Sequence, residues 1–99
     1  MQIFHLAEPN DWAARTDVYV APSLEDDGFI HCSTADQVNR VAQRFFAGRE
    51  DLVMLTIDTS HLAESLVYED LYSMGEEFPH IYGPIPLHAV IEAGGYQVS

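Results

Sequence analysis

The chain has 99 residues, which suits one domain with an ordinary hydrophobic core, since domains commonly contain about 100–150 residues. Hydrophobic residues make up 47% and charged residues 20%, close to the average of soluble globular proteins, which argues against disorder. Sixteen acidic residues face four arginines and no lysine, for a net charge of −12. This composition excludes a Schiff-base or P-loop lysine, and it argues against nucleic acids and membranes as partners.

The single cysteine, Cys32, has no partner for an internal disulfide, as is typical of a reducing compartment. The N-terminal segment has no basic start followed by an apolar run, and no apolar stretch approaches the roughly 20 residues needed to cross a bilayer. We therefore expect a cytoplasmic protein with a single domain over residues 1–99.

The first third of the chain predicts short elements. Gln2–Leu6 is rich in β-formers, and Pro9–Arg15 predicts a short helix with proline in its first turn. Val18–Val20 predicts a brief strand, and Pro22–Gly28 predicts a loop whose acidic residues form a solvated turn. Gly28–Cys32 predicts the next strand.

One amphipathic helix follows that strand. Thr34 and Gln37 match a capping box, in which the threonine hydroxyl accepts from the glutamine N–H and the glutamine side chain reaches back. Gly48 is a natural stop for the helix. The apolar residues at helical spacing are Val38, Val41, Ala42, Phe45 and Phe46.

The second half predicts strands joined by short turns. Leu52–Asp58 is almost continuously apolar, which predicts a central strand buried on both faces. Leu66–Glu69 and Phe78–Tyr82 predict two more strands, and Ala89–Ala93 predicts a last one that turns through two glycines to pair with Tyr96–Val98. About six strands and one or two helices without regular alternation predict an α+β fold.

Three of the five histidines, His5, His31 and His80, lie in predicted strands among apolar neighbours. Because side chains alternate along a strand, Phe29 shares a face with His31, and Tyr82 shares one with His80. If these faces converge, imidazoles, aromatic rings and a hydroxyl line one cleft. The competing interpretation is that each histidine is a satisfied core or boundary residue.

The residues after His31 suggest an anion site. Ser33 and Thr34 stand where a strand turns into a helix, and the free N–H groups and positive dipole end of a helix start attract phosphate or carboxylate. The alternative is that both residues only cap the helix. Glu69 is a further candidate, because an acid on a strand needs either solvent or a partner.

The motifs GFIHCST (28–34) and FPHIYGPIP (78–86), with the IFHL start, resemble a small bacterial family, domain-of-unknown-function family 952, over nearly the whole chain. The resemblance implies a fold related to the ADP-ribosyltransferases. That fold is a split, mostly antiparallel sheet around a cleft, with one main helix and short additional helices.

The superfamily carries a histidine on its first site strand, a tyrosine that stacks on nicotinamide on the next, and a glutamate on a later one. The resemblance implies that His5 takes the first role and His31 stands where the stacking tyrosine would be. The third motif, Phe78–Tyr82, contains no glutamate, and the nearest acids are Glu69 and Glu77.

Three functions are compatible with these features, and whether the chain is an enzyme stays open. The first is a cleft for a nucleotide-type ligand, NAD or ADP-ribose-like, in a divergent or inactive ADP-ribosyltransferase-like protein. Its catalytic candidates are His5, His31, Glu69 and His80, and its ligand-contact candidates are Phe29, Ser33, Thr34 and Tyr82.

The second function is a non-catalytic interaction or binding domain with structural histidines. The third is a metal-dependent hydrolase built on three histidines, which can form a zinc site with an open position. The sequence contains no His-x-His, His-x-x-x-His or Cys-x-x-Cys spacing, so it predicts no metal.

Overall fold

A computed structural model describes residues 1–62, 64–73 and 75–98 and has an α+β architecture with antiparallel strand pairing. The strands are β1 Gln2–Ala7, β2 Val18–Tyr19, β3 Ile30–His31, β4 Leu52–Asp58, β5 Leu66–Glu69, β6 Phe78–Ile81, β7 Ile85–Pro86 and β8 Val90–Tyr96. The helices are α1 Pro9–Ala13, α2 Ser23–Asp26 and α3 Val38–Phe45, with 3-10 turns at Thr59–His61 and Leu87–Ala89.

Two three-stranded sheets form the framework, with the strand orders β1-β4-β8 and β3-β6-β5. They meet at one residue pair, where Phe4 and Ser33 exchange two backbone hydrogen bonds of 2.8 and 2.7 Å. The short strands β2 and β7 form a separate ribbon. The two sheets are therefore joined by backbone hydrogen bonds at this one pair and are separate on either side of it.

The prediction of a central strand at Leu52–Asp58 is confirmed, since β4 lies between β1 and β8. Leu55 and Ile57 are buried on one face in the larger core cluster, and Leu52 is buried on the other face under α3. Burying such a side chain contributes about 1.5–3 kcal/mol to the stability of the fold. Because β4 buries side chains on both of its faces, it links the two core clusters.

The main helix begins later than the sequence suggests, at Val38, after a turn over residues 35–37. One half of the capping box is present, because Gln37 Oε1 accepts from the Thr34 N–H at 3.0 Å. The amide nitrogen of Gln37 donates to the Glu77 carbonyl at 2.7 Å and to the Glu76 carboxylate at 3.1 Å. This buried side chain ties the helix start to the segment before β6.

The prediction of a loop over 22–28 is wrong, because this segment contains α2. Glu25 and Asp26 lie in its first turn, where negative side chains interact favourably with the helix dipole. Gly28 follows with a φ of 89°, a left-handed conformation that ends the helix and redirects the chain into β3.

The predicted hairpin through Gly94 and Gly95 is also wrong. β8 runs without a turn from Val90 to Tyr96 and pairs with β4, where Gly94 lies opposite Met54 and Gly95 opposite Val53. Pairing with a buried central strand overrides the turn preference of two glycines. In the described part of the chain, no helix is long and apolar enough to span a bilayer.

Candidate functional site

One face of the β3-β6-β5 sheet carries most of the predicted site residues. In the strand ladders, His31 lies opposite His80, and His80 lies opposite Val67. Alternation then puts Phe29, Glu69 and Tyr82 on this same face, while Ile30 and Ile81 point into the core. We call Phe29, His31, Glu69, His80 and Tyr82 the imidazole cluster.

Phe29 is the centre of the imidazole cluster. Its ring stacks on His80 with a centroid distance of 4.1 Å and lies 4.7 Å from the ring of His31 and 5.4 Å from that of Tyr82. The rings of His31 and His80 meet edge to face at 5.6 Å. The structure thus brings together two pairs of aromatic side chains, 29/31 and 80/82, that lie far apart in the sequence.

His80 and Glu69 form a dyad within the cluster. The side chain of His80 is 3% exposed, and its Nδ1 lies 2.8 Å from Glu69 Oε2, which also accepts a hydrogen bond from the Tyr82 hydroxyl. Because a carboxylate oxygen accepts, Nδ1 of His80 carries the proton of this hydrogen bond.

The second ring nitrogen of His80, Nε2, has no hydrogen-bond partner among the described residues. Among the described residues, no buried side-chain nitrogen or oxygen lacks a hydrogen-bond partner, and none of the hydrogen bonds uses Nε2 of His80. Nε2 is therefore the ring nitrogen of His80 that makes no hydrogen bond within the described fold.

The hydrogen bonds within the cluster favour the ionised form of Glu69 and the protonated form of Tyr82. Donation from Tyr82 and from His80 lowers the pKa of Glu69 below its ordinary value. The same bond to Glu69 raises the pKa of the Tyr82 hydroxyl. Glu69 is therefore ionised and Tyr82 protonated, so the dyad consists of an anionic acceptor and an imidazole that donates to it.

Asp27 completes the rim of the cluster and is a residue that the sequence analysis missed. Its carboxylate lies 2.9 Å from His31 Nε2, and the side chain of His31 is 43% exposed. The sequence interpretation treated Asp27 as part of a solvated turn. The spacing of four residues between the acid and the histidine, with Gly28 turning the chain between them, is the signal that could have found this pair.

His5 lies on the opposite face of the sheet, so the expectation that three imidazoles line one cleft is wrong for this residue. Its Nδ1 donates to the His31 carbonyl at 2.7 Å, and its Nε2 accepts from the Tyr19 hydroxyl at 2.9 Å. Burial is the main cause that lowers the pKa of His5 to about 4, so the ring is neutral. The reason is local: Phe4 pairs with Ser33, which turns the next side chain of β1 to the core.

The predicted anion site at Ser33 and Thr34 has its backbone donors engaged. The Ser33 N–H donates to the Phe4 carbonyl at 2.7 Å, and the Thr34 N–H donates to Gln37 Oε1 at 3.0 Å. The Glu76 carboxylate lies nearby, bonded to the same glutamine. Strand pairing accounts for the Ser33 donor and capping for the Thr34 donor, and the phosphate role stays a prediction.

The arginines have partners away from the imidazole cluster. Arg15 stacks on Trp12 at 4.1 Å, and Arg44 lies over the Phe45 ring at 5.6 Å. Arg40 pairs with Glu76, and Arg49 pairs with Glu8 and Asp51. The imidazole cluster therefore has acidic neighbours, and none of the four arginines contributes a positive charge to it.

No group of three or more His, Cys, Asp or Glu side chains within residues 1–62, 64–73 and 75–98 is arranged to hold a metal ion. His5 uses both ring nitrogens inside the fold, which leaves two histidines in the cluster. The three-histidine hydrolase thus lacks geometric support. Two surface hollows of about 310 and 320 Å³ lie elsewhere, beside α1 and beside the end of β8.

The fold and sequence are similar to known proteins. A crystal structure of protein CC0527 from Caulobacter crescentus matches with a TM-score of 0.86 and 28% identity, covering 96% of this chain and 85% of that one. The solution NMR structure of CC0527 matches with a TM-score of 0.84 and 27% identity, covering 99% and 86%. No curated protein matches this sequence. A family model described as "Protein of unknown function (DUF952)" matches residues 6–93, and the chain belongs to that family.

Proposed function

We propose that the imidazole cluster binds a nucleotide-type ligand, NAD or ADP-ribose-like, and that His80 acts there as a general acid or base. The observation that carries this proposal is the dyad, in which Glu69 fixes Nδ1 of His80 and leaves Nε2 open. Histidine is the side chain that most often serves as a general acid or base, because its ring nitrogens can take up and release a proton.

Glu69 has two roles in the proposed chemistry. Its carboxylate holds the imidazole in the tautomer with Nδ1 protonated, and it stabilises the imidazolium that forms when Nε2 takes up a proton. The Tyr82 hydroxyl fixes the same carboxylate from the other side. His80 therefore holds or releases a proton at Nε2 without reorienting its ring.

Two exposed rings at the rim provide a surface for a planar ligand. The ring of Tyr82 is 44% exposed and the side chain of His31 is 43% exposed, whereas Phe29 is buried and supports His80 from behind. Asp27 and Glu69 make this face anionic, which favours the cationic nicotinamide end of NAD over its diphosphate.

The proposed fold relation to the ADP-ribosyltransferases is supported by the split between the two sheets, which are joined only where Phe4 of β1 pairs with Ser33, just after β3. On this relation the chain is a divergent or inactive member, because Glu69 comes from β5 and no acid lies on β6.

Isothermal titration calorimetry with NAD⁺, 1-methylnicotinamide and ADP-ribose tests the proposal. We expect NAD⁺ and 1-methylnicotinamide, which carry the same cationic ring, to bind, ADP-ribose to bind more weakly, and Tyr82→Ala to weaken binding at least tenfold. His61→Ala is the matched control, because His61 is an exposed histidine outside the cluster. Absence of binding of all three compounds at millimolar concentration to the folded protein would contradict the proposal.

A second function, a non-catalytic domain with structural histidines, is favoured by the burial of His80 and Phe29, which are 2% and 4% exposed. On this interpretation the dyad stabilises the β5–β6 pair and has no ligand. Chemical unfolding of His80→Gln separates the two functions. A large loss of stability in this variant, together with no ligand binding by the parent protein, would favour the structural role.

A further inference from the structure

The strand β8 forms an outer edge of the β1-β4-β8 sheet. It has seven residues and pairs with β4 on one side, and no strand of the described chain pairs with its other side. Each residue of such a strand offers its N–H and C=O either to the neighbour or outward. Which residues face outward follows from the hydrogen bonds of the sheet.

The Phe4–Ser33 pair sets this pattern. Because Phe4 exchanges both backbone hydrogen bonds with Ser33, its N–H and C=O point away from β4. Thr56 lies opposite Phe4, so the N–H and C=O of Thr56 point toward β8. Glu92 and Gly94 of β8 then bond to β4, since they lie opposite Thr56 and Met54. The alternate residues Ala93 and Gly95 present free N–H and C=O groups to the outside.

This edge has few of the features that protect sheet edges from other chains. Ile91 is 55% exposed, Ala93 and Gly95 are exposed and small, and Glu92 is the only charged residue of the strand. Natural edges are commonly blocked by lysine, proline or cover from another element, and β8 has only the irregularity in its pairing next to Ile57.

The outer edge of the other sheet, β5, is shorter, with four residues. The Tyr82 N–H donates to the Ser65 carbonyl, which places the outward positions at Leu66 and Tyr68. The Leu66 N–H is already used, because it donates to the Leu62 carbonyl. The backbone N–H of Tyr68 is therefore the outward donor that remains on this strand. Of the two edges, β8 is the one with room for a strand.

We propose that β8 pairs antiparallel with β8 of a second copy of this chain, about a two-fold axis at Gly94. Ala93 of each copy then exchanges backbone hydrogen bonds with Gly95 of the other, which gives four bonds from the free groups. Glycine lies opposite glycine at the axis, and Ile91 extends the contact at each end. One strand supplies both halves of the interface, as a two-fold dimer requires.

Charge limits the surfaces at which two copies can meet. Each copy carries a net charge of −12, so two copies repel each other at most surfaces. In the proposed register the two Glu92 residues are four positions apart along the strands, or about 13 Å, which exceeds a Debye length of about 8 Å at physiological salt. The interface therefore avoids direct pairing of carboxylates, and added salt should strengthen it.

Sedimentation equilibrium and hydrogen exchange of the unmodified chain test the proposal. We expect a monomer–dimer equilibrium that shifts toward dimer between 0.1 and 0.5 M NaCl. The Ala93 and Gly95 amides should exchange more slowly as the concentration rises, while the Tyr68 amide at the other edge should not change. A monomer at all concentrations up to about 1 mM in 0.5 M NaCl would overturn the proposal.

A pair of proline variants locates the interface. Ala93→Pro removes an outward N–H and no bond to β4, so the fold should survive and dimerisation should weaken at least tenfold. Tyr68→Pro makes the same change on β5 and should leave dimerisation unchanged. Dimerisation that survives Ala93→Pro, or is lost in Tyr68→Pro, would contradict the assignment. If Ala93→Pro does not fold, the exchange of the Ala93 and Gly95 amides in the parent protein decides.

Discussion

His5 and His80 are two buried histidines on opposite faces of the same sheet region, and their partners give them different properties. His5 donates to a carbonyl and accepts from a phenol, so both nitrogens are used inside the fold. His80 donates to a carboxylate and leaves its second nitrogen open. Burial is therefore a poor guide to the role of a histidine, and the chemistry of its partners is a better one.

The largest expected effect comes from His5→Ala. It leaves the His31 carbonyl and the Tyr19 hydroxyl without their partner and opens a cavity, so the free energy of unfolding should fall by about 3 kcal/mol. Urea unfolding measures this loss, with the exposed His61→Ala as control. A loss below about 1 kcal/mol would mean that the contacts of His5 contribute little.

The pH dependence of stability is the next test of the comparison. The pKa of His5 is lowered from 6.5 to about 4, so the unfolded chain binds a proton more readily than the folded one. Neutral His5 therefore contributes about 3 kcal/mol to the free energy of unfolding. This contribution is fully present above pH 6.5 and is lost as the pH falls through 4. Unfolding at pH 7, 5.5 and 4 should show this loss in the parent protein and a smaller one in His5→Gln. Equal slopes in both proteins would contradict it.

The smallest effect should come from Tyr82→Phe, which removes one donor from Glu69. The pKa of Glu69 should rise toward its ordinary value and stay below it, because His80 still donates to the carboxylate. Carboxyl NMR titration of Glu69 measures this change. Stability from Glu69 is present above its unfolded pKa and is lost as pH falls through the lowered folded one, so the variant should lose it at higher pH. An unchanged titration would mean that Tyr82 does not hold the carboxylate.

Much of the imidazole cluster could be predicted from alternation within single strands. That rule puts Phe29 with His31 and Tyr82 with His80, and the ladder between β3 and β6 then joins the two pairs. The alternation rule could not place His5, because alternation within β1 does not determine which side chains of β1 share a face with those of β3. That relation is set by the Phe4–Ser33 pair, a contact between distant residues.

The remaining errors have the same origin. The two glycines of β8 favour a turn locally, and only the pairing with β4 makes them part of a strand. The length of β4 and its burial were predictable, since they follow from a continuous apolar run. Asp27 was missed because its partner His31 reaches it only after α2 and Gly28 have shaped the chain.

The link from His5 to the His31 carbonyl has a mechanical consequence. The two sheets share a single pair of residues, and the imidazole of His5 acts beside that pair as a second tether between β1 and β3. A displacement of the first strand is therefore passed to the backbone of His31, whose ring stands at the rim of the proposed site.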